Sequence, residues 1–122
     1  MDHAILDTGL LDELWEVMEE ELSQLLDAFL HSTEQQFAAL QTALAEQDAE
    51  TLRKGAHTMK GAAASVGAVK LSEHFYELEN CARGGQFDQA SLALTLSRQG
   101  LFEFEQALTQ WRASVSGQRE YQ

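Results

Sequence analysis

Apolar residues recur along the chain at intervals of three and four, the spacing that lines one face of an α-helix. Leu10, Leu11, Leu14, Trp15 and Met18 predict a short first helix over Thr8–Met18. A long second helix follows at about residues 20–46, with Leu22, Leu25, Leu26, Phe29, Phe37, Leu40 and Leu44 as its stripe. Glu19, Glu20 and Glu21 near its start suit the positive end of a helix dipole. Asp48 offers an N-cap for a third helix, about 49–66, which Gly67 ends in the left-handed conformation. A fourth, about 68–83, stops at Gly84-Gly85, and Asp88 is placed to cap a fifth that reaches about Val115 with Leu94, Leu101, Phe104, Leu108 and Trp111. No alternation of period two competes, and connections of a few residues make successive helices antiparallel neighbours. The expected fold is all-α: an antiparallel up-down four-helix bundle with a short additional N-terminal helix, one domain over residues 1–122.

Composition narrows the function more than the fold. The chain has no proline and is 44% hydrophobic, which fits helices around a real core. Its net charge of −12 argues against nucleic acid and anionic membranes, which select basic surfaces. No apolar run approaches the roughly 20 residues of a membrane span. Met1-Asp2-His3 does not open a signal peptide, so a cytoplasmic location is expected. Cys81 is alone, which excludes an internal disulfide and a multi-cysteine zinc site; it is read as a small packing residue. The charge is unevenly spread. All 13 acids up to Glu50 precede the first base, Arg53, whereas from Glu50 to Arg83 five bases (Arg53, Lys54, Lys60, Lys70, Arg83) face four acids. A weakly positive patch on an acidic protein is where an anionic group would be tolerated.

The third helix falls in that patch and departs from the ordinary pattern. Leu52, Ala56, Met59, Ala63 and Val66 form a stripe about 80° wide, which sets the core face. His57 then lies at about 140° from the stripe, pointing outward beside Arg53 and Lys60, with Gly61 and Ala64 on the following turns. Glycine inside a helix costs about 1 kcal/mol relative to alanine. Gly55, near the core stripe, fits close helix packing; Gly61, on the outer face, leaves the imidazole uncovered and lets another protein's backbone approach.

A neutral imidazole is nucleophilic near neutral pH and suits a labile phosphoryl group. One ring nitrogen attacks best when an acceptor holds the proton on the other. The turn near Gly67-Ala68 lies about 10 residues after His57 and about 11 before Glu79, so an antiparallel hairpin brings the two to similar height. Glu79 borders the apolar set Leu71, Phe75, Leu78 and Ala82; it is either that acceptor or a solvated glutamate. Lys60 could neutralise phosphoryl oxygens, with Arg53 assisting from the other side. The chain shows no phosphate-binding Gly-rich loop and no acidic cluster for Mg²⁺ beside a nucleotide, hence no means of taking phosphoryl from ATP.

The run Ala56-His57-Thr58-Met59-Lys60-Gly61-Ala62-Ala63-Ala64-Ser65-Val66-Gly67, with Leu71 and Leu78-Glu79 after it, resembles the motif of histidine-phosphotransfer (HPt) domains. The resemblance implies a bacterial-type phosphorelay module rather than an enzyme. His57 would accept phosphoryl from an aspartate on the receiver domain of a hybrid sensor kinase and pass it to a response regulator. Lys60 would steady the phosphate and Gly61 give the receiver clearance. Any Mg²⁺ would sit on the receiver, so the chain itself is expected to hold no cofactor and no metal. Met59 stands where leucine is usual, and Glu79 where many members carry glutamine. Arg53, Lys54, Ala64, Val69 and Tyr76 are candidate receiver contacts, and a bundle complete in one chain is expected to be monomeric.

Two other functions are weighed. A carboxylate-bridged metal bundle needs paired Glu-x-x-His motifs; the chain has none, and His3, His31 and His74 read as surface or boundary residues. A chemically silent adaptor bundle is compatible with the composition and is separated from a relay by whether His57 takes up phosphate.

Overall fold

The computed structural model describes residues 4–120, with side chains to residue 115. Five helices account for it: α1 (Thr8–Met18), α2 (Glu20–Ala45), α3 (Ala49–Ser65), α4 (Val69–Arg83) and α5 (Phe87–Glu120). The last four form the bundle: α3 packs most closely on α4, α4 on α5 and α2 on α3, while α2 meets α5 to complete the ring. Among the described residues there is no strand, and no helix is long and apolar enough to cross a membrane. Most helix ends fall within a residue of the expected ones, the range within which boundaries carry no meaning.

Each bundle helix turns its apolar stripe inward. Leu52, Ala56, Met59, Ala63 and Val66 are all buried, as the spacing predicts. Aromatic pairs tie the layers: Phe29 meets Phe104 edge-on at 5.8 Å, and Phe37 meets Phe75 at 5.7 Å. Thr33 and Ser97 sit in the same core, their hydroxyls donating back to the Phe29 and Ala93 carbonyls at 2.7 and 2.8 Å, so neither brings an unsatisfied group inside.

Three expectations need correction. Leu25 belongs to no buried stripe and is 42% exposed. On the helical wheel Leu25 falls about 40° outside the arc that holds Leu22, Leu26, Phe29 and Phe37, all of them buried. Asp88 does not cap α5; that helix begins at Phe87, the Gln86 carbonyl accepts from the Ala90 amide at 2.8 Å, and Asp88 stands inside the first turn. The same helix continues beyond Val115 to Glu120.

The short α1 lies across one end of the bundle. Leu11 is buried, and Trp15 meets Trp111 edge-on at 6.5 Å. Trp111 Nε1 donates to Asp12 at 2.9 Å, and the Asp7 amide donates to the Gly67 carbonyl at 2.8 Å. The boundary between α1 and α2 falls at Glu19, whose φ of 53° and ψ of −123° bend the chain sharply.

Candidate functional site

The local sequence of α3 sets the site. Asp48 caps it as expected, accepting from the Thr51 amide at 3.1 Å. With the small and apolar residues of the stripe turned inward, His57 projects outward, its side chain 61% exposed. A Cβ built on Gly61, one turn on, would meet nothing within 4 Å, whereas one on Gly55 would come to 2.7 Å from Leu40 Cδ2. Gly61 is therefore bare surface and Gly55 a packing contact, as the spacing predicts for each.

Glu79 on α4 is the anchor of the site rather than a solvated residue. It is 3% exposed, and its Oε2 lies 2.9 Å from His57 Nδ1. Lys60 Nζ reaches Oε1 at 2.8 Å, and Arg83 Nη2 reaches Oε2 at 3.1 Å. The hydrogen bond from Lys60 chiefly holds the Glu79 carboxyl below its ordinary range; burial works against this and the His57 bond adds to it. An ionised carboxylate only accepts, so Nδ1 of His57 is the donor, and in the neutral imidazole the lone pair is left on Nε2. That is the geometry of a nitrogen nucleophile.

Other residues refine the picture. Lys60 is also 5.1 Å above the ring of Tyr76, which is 51% exposed beside it. Ser72 donates to the Lys60 carbonyl at 2.9 Å and ties α4 to α3 at this level. Arg53 and Lys54 are held to Glu50, at 2.8 and 3.7 Å. Arg53, one turn before His57, is thus engaged by a carboxylate of its own helix, while the Glu79 carboxylate is also near enough to favour its charge. Ala64 is exposed and Val69 half-buried. Arg83 is the participant that sequence reasoning missed; its spacing of four from Glu79 was the available signal. Among the described residues no three of His, Cys, Asp and Glu cluster as a metal site would need. His31 bonds Gln35, and half-buried His74 packs on Gly100; His3 lies outside the described residues.

The fold is shared with known proteins. The fold matches the crystal structure of histidine-containing phosphotransfer protein B (HptB) from Pseudomonas aeruginosa with a TM-score of 0.85 and 34% identity, over 93% of this chain and 98% of that one. It matches histidine-containing phosphotransfer protein ZmHP2 from maize at a TM-score of 0.78 and 19% identity, covering 91% and 87%; that likeness concerns the fold. Phosphorelay intermediate protein YPD1 of Candida albicans is 27% identical over 94 residues, 75% of this chain. The chain spans about half the length of that curated relative, 51%. The model of the Hpt domain matches residues 24–114, which take in α3, α4 and every side chain around His57. By that match, the chain belongs to the Hpt domain family.

Proposed function

We propose that the chain is a phosphorelay intermediate that carries a phosphoryl group on Nε2 of His57. The group comes from the aspartyl phosphate of a receiver domain and goes to the aspartate of a second receiver in a response regulator. The observation that carries this is the exposed imidazole whose inner nitrogen is bonded to the buried Glu79 carboxylate. Nε2 attacks phosphorus, the P–O bond to the aspartate breaks, and the reverse step delivers the group onward. Lys60 is near enough to exchange its place on Glu79 for a phosphoryl oxygen. The bare surface at Gly61 admits the receiver, with Ala64, Val69, Tyr76, Arg53 and Lys54 around the contact.

In this scheme the chain is a carrier and not a kinase, it acts as a cytoplasmic monomer, and the Mg²⁺ used in transfer belongs to the receiver. The test is His57→Gln incubated with phosphorylated receiver domains. Acid-labile label on the wild type and none on the variant, with unchanged circular dichroism, is the expected result. Equal labelling of both proteins would remove His57 from the role, and absence of label on either would favour the chemically silent adaptor.

A further inference from the structure

Two cations of α3 share one carboxylate beside the site. The guanidinium of Arg53 forks onto Glu50, Nη2 on Oε1 at 2.8 Å and Nε on Oε2 at 3.2 Å, and Lys54 Nζ lies 3.7 Å from the same Oε1. The two cations differ in their surroundings. Lys54 is 69% exposed and Arg53 only 28%, and the buried Glu79 carboxylate joins Glu50 in favouring the charge of Arg53. Arg53 stands four residues before His57, a spacing that leaves Cβ atoms about 5–6 Å apart on a helix. Lys60 stands three residues after it. The imidazole thus rises between an arginine held by Glu50 and a lysine held by Glu79. A phosphoryl group on Nε2 would bring roughly two negative charges. Lys60 supplies one compensating charge, and Arg83 is engaged by Glu79 and Asn80. The next cation along α3 is Arg53, whose planar fork suits phosphoryl oxygens as well as a carboxylate. Leaving Glu50 costs little, because an exposed pair three residues apart on a helix is weak. Glu50 keeps Lys54 beside it and sits in the first turn of α3, where the helix dipole favours a negative charge.

We propose that Arg53 is a second phosphoryl ligand, held on Glu50 while His57 is empty and swung onto the phosphoryl oxygens when it is loaded. This deepens the carrier role proposed for His57 and rests on it. Lys54 closes on Glu50 behind the departing arginine, so the exchange leaves no carboxylate bare. Arg53 makes and breaks no bond to phosphorus. It donates N–H hydrogen bonds from the turn before His57, as Lys60 does from the turn after, and the group is gripped from both. When the group leaves for a receiver, the fork returns to Glu50.

The test is the equilibrium between the full chain and a receiver domain, both dilute enough to be free, read as the ratio of histidyl to aspartyl label. A residue that only touches the receiver changes the speed of transfer in both directions and leaves this ratio alone. A phosphoryl ligand moves it. Arg53→Gln is expected to lower the ratio about three- to tenfold, the margin of one hydrogen bond to a charged group in an exposed setting. Arg53→Lys, which keeps the charge and loses the fork, should fall between that variant and the wild type. Glu50→Gln should raise the ratio, since nothing then holds the arginine back. Lys70→Gln, which removes the same charge from α4, should leave it unchanged. A second measurement needs no variant: with the wild type loaded by phosphoramidate, a small donor that replaces the receiver, the Arg53 Nε–H resonance should move and return as the label is lost. An Arg53 resonance blind to loading, a ratio indifferent to Arg53→Gln, or a fall with Glu50→Gln would overturn the proposal. If neither donor loads His57, the carrier role itself fails and takes this inference with it.

Discussion

A methyl group added at Gly61 enters open space, while one at Gly55 runs into the tip of Leu40, itself only 2% exposed. Gly61→Ala should therefore stabilise the protein by about 1 kcal/mol through helix propensity alone. Gly55→Ala should destabilise it by about 1–2 kcal/mol despite the same gain, because overpacking outweighs it. Thermal melts of the two variants check this, and parallel shifts would contradict it. A larger side chain at position 61 should not lower the melting temperature but should slow labelling by a receiver. Glu79 makes a second prediction. Its carboxyl is held below the ordinary 4.5, chiefly by Lys60, so its stabilising effect is complete above that value and is lost as pH falls through the lower folded value. Glu105, raised by burial and by Glu34, pulls in the opposite sense, so the informative quantity is a difference. The wild type should lose more stability than Glu79→Gln between neutral pH and strong acid in denaturant titrations. Identical acid profiles would mean that the carboxylate is not ion-paired as described.

The three turns of the bundle share one device. At each, a single residue takes the left-handed conformation: Gln47, Gly67 and Gly85, with φ of 53°, 77° and 67°. The next amide reaches back over the helix end, Asp48 to the Ala43 carbonyl, Ala68 to Ala63 and Gln86 to Cys81, each at 2.9 Å. Gln47 is the one without glycine, so Gln47→Gly should raise stability by roughly 1 kcal/mol; an unchanged or lowered melting temperature would count against the turn as described. The pattern also explains what could be read from the chain. Gly67 and Gly84-Gly85 were visible as helix ends because glycine announces this conformation, and Gln47 was hidden because a tertiary turn imposes it. Counting residues from the turn put Glu79 level with His57, since an antiparallel hairpin fixes height. Whether Glu79 faced inward depended on cations from two helices closing around it, which no spacing within one helix states. Arg83 escaped for the same reason, and Leu25 because it sits at the margin of its stripe, where the neighbours that pack alongside decide what is covered.

The whole molecule carries −12 with its first 13 acids ahead of any base, so α1 and α2 are strongly negative. Among the described residues, Arg112 reaches Asp27 at 2.9 Å and Arg98 reaches Glu34 at 3.6 Å, surface pairs of small value. Self-repulsion should dominate, and moderate salt should raise the melting temperature by screening it. A fall with salt would show that attractive pairs prevail. The turn between α3 and α4 is only three residues long, Val66 to Ala68. It has no slack to fold over His57, so a phosphoryl group carried there, as proposed, would stand in the open. On that reading nothing in the fold shields the load from water, and a message left uncollected would fade of its own accord.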